Sequence, residues 1–542
     1  MKILLNIPLI ITALLGLQAS ATADANPETI INPFDIYQFN TIPPEAGAAD
    51  ITDQLIPSHD GTIIDASLFI PDGPAPLGGY PTVLLPGGWG QDKSMYDLAA
   101  DMLSENGYLV LSYSNRGFSN SGGLADVAGP DTLGDISALI DWLESNYAVG
   151  KIGLGGISYG GGISLLGAVA DDRVDAVAAM SAWADLEFEL YPNETVNFFW
   201  GNLLLSAERT IPEVDQLWEN ITERKNLDQV RAFSASRSAI YRIQELNQRD
   251  IPILVSHQYG DYLFKPNRIL DLFEALETPK KLLLNPGTHG ATESLDSALY
   301  RHIWHNNLRW FDHYLKGEDN GVDSEPSVDI TTRLATEREL HNNWPVTDSG
   351  DRYFLHPRLT QFHAGALSET PYLGLPRNNT FSGGTDTAAG TGIPLVSALL
   401  EGLGVPVVAP VALIGGQNGI KYHTAAYPQP LQIRGNPQLD IWIVPSAPEV
   451  QLQFHLYDTD ALGLGKLISH VPLTLHEAEV GVPQRVAVEF FTTSYDLPAG
   501  HRVSLVVDTE NSLLYQRPEN TDFQVQIPYR ILLPASVYLP RL

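Results

Sequence analysis

KIGLGGISYGGGISLLGAVA, residues 151–170, changes character at Ser158. Before it, Lys151 to Gly155 is a short apolar run of the kind that fills a buried strand; after it, Gly161 to Ala170 is a small-residue stretch with helical character. Between the two, Gly156-Ile157-Ser158-Tyr159-Gly160 matches G-x-S-x-G, in which flanking glycines let a strand turn sharply into a helix and leave the serine hydroxyl exposed. The five residues alone are a weak signal. A strand before them and a helix after them supply the setting that a nucleophile elbow needs.

Working outward, residues 60–320 alternate apolar runs with helical stretches, the pattern of a mostly parallel sheet covered by helices. Strands are expected at Ile63 to Ile70, Thr82 to Leu85, Tyr108 to Tyr113, Lys151 to Gly155, Ile251 to Ser256 and Lys281 to Asn285. Helices are expected at Met95 to Asn106, Leu133 to Tyr147 and Leu263 to Leu276. Residues 185–250 interrupt the alternation and read as an inserted helical cap, with helices at Asn197 to Arg209 and Ala232 to Asn247. Most of their apolar residues are expected to pack the cap helices together. Residues 24–59 read as a polar leader and 321–352 as a connector. From Tyr353 to the C-terminus the pattern turns to β: Val450 to Leu456 alternates strictly, and Val486 to Phe490, Val503 to Val507 and Phe523 to Ile527 resemble half-buried strands of a sandwich. Ser382 to Gly392 reads as a loop.

A serine hydroxyl is a poor nucleophile until an imidazole takes its proton and a carboxylate holds that imidazole in the right tautomer. Asp261 follows the expected strand Ile251 to Ser256, and His289 follows the strand Lys281 to Asn285. Reacting groups of an open α/β sheet gather beyond the carboxyl ends of its strands, and Ser, Asp, His is the order of α/β-hydrolases. Ser158 is therefore expected as nucleophile, His289 as base and Asp261 as the acid that orients it. His257, His302, His305, His313 and Asp271 are expected as solvated or core side chains. The oxyanion needs preorganised donors. The N–H of Tyr159 is one candidate, and Gly88 or Trp89, in a glycine-rich turn after Thr82 to Leu85, is the other. Trp183, Phe198 and Trp200 are candidate substrate contacts.

Composition excludes several alternatives. A formal charge of −32 argues against nucleic-acid binding, which needs clustered Lys and Arg. The chain has no cysteine, so thiol catalysis and disulfides are excluded. Gly153-Leu154-Gly155-Gly156 matches part of a dinucleotide fingerprint, but Ser158 fills its third glycine position; His476-Glu477-Ala478-Glu479-Val480 lacks the second His of a zinc protease. Neither cofactor nor metal is expected. Residues 1–23 read as a signal peptide: Lys2 is a basic start, Ile3 to Leu17 is almost wholly apolar, and Ala19-Ser20-Ala21 or Ala21-Thr22-Ala23 offers a cleavage site. The expectation is an exported protein, periplasmic or secreted, without a membrane span. Oligomeric state is not readable.

The chain resembles the X-Pro dipeptidyl-peptidase-like and cocaine-esterase-like hydrolases of the peptidase S15 group. Asn115-Arg116-Gly117-Phe118 with Ser121-Gly122-Gly123, the elbow, Asp172 to Ala176 and Gly260-Asp261-Tyr262-Leu263-Phe264 carry the likeness. So do Trp310 to Gly317, Gly435-Asn436-Pro437 and Pro498-Ala499-Gly500-His501-Arg502. The resemblance implies an α/β-hydrolase fold with a helical cap and a C-terminal jelly roll, hydrolysis of esters or amides through an acyl-enzyme, and the triad Ser158, Asp261 and His289. It also implies a Pro-Tyr pair whose hydroxyl helps hold the oxyanion; this chain has Gly87-Gly88-Trp89 there. Three functions follow: a carboxylic ester hydrolase first, an X-Pro dipeptidyl-peptidase-like amidase second, and a non-catalytic ligand-binding protein using the jelly roll third.

Overall fold

The computed structural model describes residues 50–542 apart from 207, 208, 295, 296, 336, 395, 403 and 520. The expected signal peptide, residues 1–23, lies outside the described residues.

A ten-stranded sheet organises the first part: β1 (Asp50–Pro57), β2 (Ile63–Ile70), β3 (Tyr80–Pro86), β4 (Leu109–Tyr113), β5 (Val149–Ile157), β6 (Val174–Met180), β7 (Ile253–Gln258), β8 (Lys280–Asn285), β9 (Val328–Thr331) and β10 (Arg338–His341). Its order is β1-β2-β4-β3-β5-β6-β7-β8-β9-β10, parallel from β4 to β9 and antiparallel at both ends. Helices cover it: α1 (Asp97–Glu105), α2 (Pro130–Asn146) and α3 (Tyr159–Ala170) come before the cap. The cap supplies α4 (Leu186–Leu190), α5 (Phe198–Leu205), α6 (Pro212–Thr222), α7 (Leu227–Ser236) and α8 (Ile243–Arg249); α9 (Pro266–Ala275), α10 (Ala291–Ser294) and α11 (Ala298–Phe311) follow it. A side chain on Gly153 of β5 would put its Cβ 2.8 Å from the Phe311 ring. The bare strand lets α11 lie close on the sheet.

Several elements differ from expectation. Part of the stretch read as leader is β1, paired with β2 along its whole length. The connector carries β9 and β10, so the ten-stranded sheet runs on to His341. No strand was expected at β6, whose Ala-rich sequence has low strand propensity; it is fixed by its neighbours, with Gly156 opposite Ala179 and Val177 opposite Ile253. The helix expected from Leu263 begins at Pro266, a residue suited to a first helical position, and residues 261–264 form a turn instead. The expected cap helix Ala232 to Asn247 is three pieces, broken where Ser238 is extended and its hydroxyl accepts from Leu186 N–H at 2.9 Å.

From Gly350 onward the described residues form an all-β domain with its own apolar core, including Ile433, Leu452, Phe454 and Leu505. Val450–Thr459 alternates in sequence yet is buried at every position. Its polar residues Gln451, Gln453 and His455 stand opposite Thr474, Pro472 and His470 of the paired strand Gly465–Leu475, and these meet the first part of the chain. Tyr262 packs edge-on against His470 with ring centres 4.9 Å apart, Asn193 Nδ2 donates to the Pro472 carbonyl at 3.0 Å, and the Thr195 and Thr474 hydroxyls are 2.8 Å apart. Among the described residues no helix is long and apolar enough to cross a membrane.

Candidate active site

At the end of β5 the chain turns so tightly that Ser158 sits at φ 60°, ψ −118°, a costly conformation for a residue with a Cβ. Two glycines permit it. A Cβ on Gly160 would lie 2.0 Å from the Pro86 carbonyl oxygen, and one on Gly156 would lie 2.5 Å from the Gly160 backbone. The Ser158 N–H donates to the Met180 carbonyl at 2.8 Å, tying the turn to β6.

His289, on the loop after β8, brings Nε2 within 2.7 Å of Ser158 Oγ and Nδ1 within 2.7 Å of Asp261 Oδ2. Asp261 is wholly buried. Its other oxygen accepts from the N–H groups of Leu263 at 3.0 Å and Phe264 at 2.8 Å, so the carboxylate is aimed at the imidazole by its own turn. The rings of Phe264 and Trp200 stand edge-on to the imidazole at 4.9 and 6.0 Å.

The other candidates bond elsewhere, although His257 Nε2 also lies 3.8 Å from Asp261 Oδ2. His257 is buried, its ring nitrogen 2.8 Å from the Phe264 carbonyl oxygen, and desolvation pushes its pKa down. Asp271 pairs with Arg268 at 2.7 Å, His302 lies 3.4 Å from Asp329, and His313 bonds the Glu318 carbonyl.

Of the oxyanion candidates, Gly88 is a correction: its N–H donates to the Met95 sulfur at 3.0 Å. The Trp89 N–H donates to no group among the described residues, and the Tyr159 N–H, at the start of α3, has no acceptor within its helix. The Trp89 indole N–H is not aimed at the site, because it donates to the Leu204 carbonyl of the cap at 2.9 Å. Asn115 fixes this loop by donating to the Gly87 carbonyl at 2.6 Å, a role that the sequence reading did not assign. Trp183 stacks on Tyr159 and borders a cavity at Ser158. Trp200 is buried against His289 outside that cavity, and Phe198 is 45% exposed and off it, because residues two apart on a helix point to different sides.

One carboxylate went unnoticed in the sequence. Glu293, on α10 just after the base loop, is completely buried, and its Oε1 accepts from the Gln258 amide and, at 3.2 Å, from the Ser256 hydroxyl. Ser181 Oγ lies 3.2 Å from it and accepts the N–H of Gly290, the neighbour of His289, at 3.1 Å. Burial raises the Glu293 pKa to about 7.

The cavity that opens on Ser158 runs under the cap and is bordered almost wholly by apolar side chains. Among the described residues Glu187 is the one cap glutamate that borders it, and Glu187 pairs with Arg231 at 3.2 Å. Glu189 is buried, accepting from the Lys265 N–H at 2.6 Å, and Glu194 accepts from the Tyr191 hydroxyl at 2.9 Å. Among the described residues no group of three or more His, Cys, Asp or Glu side chains is arranged to hold a metal ion.

Residues 60–291 match the sequence model of the X-Pro dipeptidyl-peptidase (S15) family, and residues 320–525 match that of the X-Pro dipeptidyl-peptidase C-terminal non-catalytic domain. The Xaa-Pro dipeptidyl-peptidase of Lacticaseibacillus casei is 23% identical over 523 residues, 82% of this chain and 64% of that one. A relative from Bacillus cereus is 23% identical over 278 residues, 44% of each chain. The matches thus span from under half to just under two thirds of these relatives' length. Among solved structures, an aminopeptidase from a marine sediment Thaumarchaeota archaeon is similar with a TM-score of 0.72, at 14% identity over 96% of this chain and 100% of that one. An α-amino acid ester hydrolase gives 0.70 at 17% over 96% and 100%, and a CocE/NonD family hydrolase of Staphylococcus aureus gives 0.67 at 14% over 91% and 94%. At these identities the likeness is one of fold: an α/β-hydrolase with an all-β C-terminal domain.

Proposed function

We propose that this chain, of the X-Pro dipeptidyl-peptidase S15 family, is an exported serine hydrolase that cleaves carboxylic esters through an acyl-enzyme. The observation that carries the reading is the chain of two 2.7 Å contacts, Asp261 to His289 to Ser158, at the mouth of an apolar cavity.

In this reading Ser158 Oγ attacks the ester carbonyl as His289 Nε2 takes its proton. Asp261 holds the Nδ1–H and stabilises the imidazolium that forms. The carbonyl oxygen, now an oxyanion, is held by the Tyr159 and Trp89 N–H groups. His289 then returns its proton to the leaving alcohol, and in the second half it activates the water that frees the acid and restores Ser158. The proton transfers run through groups that already touch, at 2.7 Å.

The family match favours a second reading, a dipeptidyl peptidase that counts from a free amino terminus. Such an enzyme must hold a desolvated ammonium against a carboxylate. Among the described residues Glu187 is the one cap glutamate beside the cavity, and Arg231 already neutralises it. This favours the ester. The test compares nitrophenyl esters with X-Pro nitroanilides, free and amine-blocked. Ester kcat/KM at least about tenfold higher, about 1.4 kcal/mol in the transition state, is expected. A strong X-Pro activity abolished by blocking the amine would overturn it. Export rests on the reading of residues 1–23 and is tested by fractionating cells that express the full chain.

A further inference from the structure

We infer that the cavity under the cap holds the acyl half of the substrate, and that the acyl group it suits is a long apolar one. This deepens the ester-hydrolase reading and rests on it.

The side of the serine on which the cavity lies decides which half of the ester enters. The leaving alcohol must reach His289 Nε2, which protonates it. His289 does not border the cavity, whereas Ser158 does, together with Trp89 and Tyr159, the two residues whose N–H groups the proposed mechanism assigns to the oxyanion. The alcohol therefore departs on the His289 side, beside Trp200, and the acyl chain continues past the oxyanion donors into the cavity.

The walls then decide the chemistry. Leu217, Ile221 and Val230 belong to the cap's own apolar cluster, and they also border the cavity, so the cap packs around a hollow rather than closing on itself. About 100 Å³ of it is open to the centres of water-sized molecules, several times what one water needs and room for a chain of several carbons. An acetyl group would leave most of it unfilled, while a chain of about six carbons or more covers apolar surface at about 0.8 kcal/mol per methylene, close to fourfold each. Its one ion pair, Glu187 with Arg231, is internally neutralised, so the walls offer no unpaired charge to an amine or a carboxylate on the chain. Gly201 and Trp218 set part of the wall: a Cβ on Gly201 would lie 1.9 Å from the indole, so the glycine is what lets this ring lie against α5.

The test is kcat/KM of the purified enzyme on p-nitrophenyl esters from acetate to dodecanoate, with a parallel series of acetate esters of lengthening alcohols. The expected result is a rise of at least about thirtyfold from acetate to octanoate, below the roughly fourfold per methylene of full burial, and a flat alcohol series. Leu217→Trp, which fills the cavity, is expected to lower the octanoate-to-acetate ratio at least about tenfold, and Leu217→Ala to move the optimum to a longer chain; the ratio is internal to each variant, so partial misfolding does not mimic it. Ester cleavage that depends on Ser158 but is best on acetate, or that rises along the alcohol series, overturns this inference alone. Absence of any Ser158-dependent ester cleavage overturns it together with the reading beneath it.

Discussion

Glu293→Gln is expected to stabilise the protein at pH 8 and to lose that advantage as the pH falls towards 5. The carboxyl is completely buried among Gln258, Ser256 and Ser181, with no Lys or Arg bonded to it. Desolvation raises its pKa from 4.5 to about 7, with a smaller raising effect from Asp261 and an opposing one from His289. Below 4.5 both folded and unfolded chains carry the proton, and the group is neutral in the balance. Between 4.5 and about 7 the folded chain keeps a proton that the unfolded chain has released, so stability falls as pH rises. Above 7 the whole penalty is present: about 2.5 units, or about 3 kcal/mol at 1.36 kcal/mol per unit. Gln keeps the shape and hydrogen-bonding reach but has no such titration. Urea unfolding of both proteins at pH 5, 6, 7 and 8, followed by tryptophan fluorescence, should show a difference of under about 1 kcal/mol at pH 5 that grows to about 3 kcal/mol at pH 8. A pH-independent difference would refute the reasoning, because it would mean that Glu293 is not the buried acid described.

Ser158→Ala is expected to lower kcat by about four or more orders of magnitude with the far-ultraviolet spectrum unchanged, and near-normal turnover of purified variant would remove the serine from the mechanism. Asp261→Asn is expected to cost about 10⁴ in kcat, since an amide selects the wrong imidazole tautomer. If Asp271→Asn proved worse, the acid would be misassigned. Gly160→Ala puts a methyl 2.0 Å from the Pro86 carbonyl oxygen and is expected to destabilise by about 3 kcal/mol or more, read as lost soluble yield and a lower Tm.

The triad positions were legible because each lies in a turn just after an apolar run, and a parallel sheet sends all such turns to one edge. Glu293 was not. It touches residues from β6 and β7 at once, Ser181 beyond the end of the first and Ser256 and Gln258 on the second, a juxtaposition that no single stretch encodes. Phe198 and Trp200 are both candidate substrate contacts by sequence, although helical period sets residues two apart on different sides; only one of them could be buried against His289. The alternation of Val450 to Leu456 located a strand correctly, but polar residues every second position mark a face that is not core. Whether water or another domain covers that face is a tertiary fact.

That covered face has a consequence for the site. Tyr262, next to Asp261, is buried against His470 of the all-β domain. Asn267, at the start of α9, donates to Glu489 Oε1 at 2.7 Å and the Phe490 carbonyl at 3.1 Å, and accepts from the Thr492 N–H at 3.1 Å. Arg333, which follows β9, is buried against Glu401 and donates to the Ile468 carbonyl at 2.5 Å. Removing the all-β domain would therefore bare Tyr262 on the turn that aims Asp261, Asn267 at the start of α9 and Arg333 just beyond β9, at about 1–3 kcal/mol for each polar group left without its partner. The chain cut before Gly350 is expected to be insoluble or to lose ester hydrolysis at least about a hundredfold, although Ser158, Asp261 and His289 all remain. Asn267→Ala in the full chain gives a milder form of the same perturbation. It is expected to lower Tm and kcat with little change in KM, because it loosens the acid's turn and leaves the cavity intact. A truncated chain that folds and hydrolyses esters within about tenfold of the full protein would show that the acid turn holds its geometry alone, and that the second domain is not part of the site.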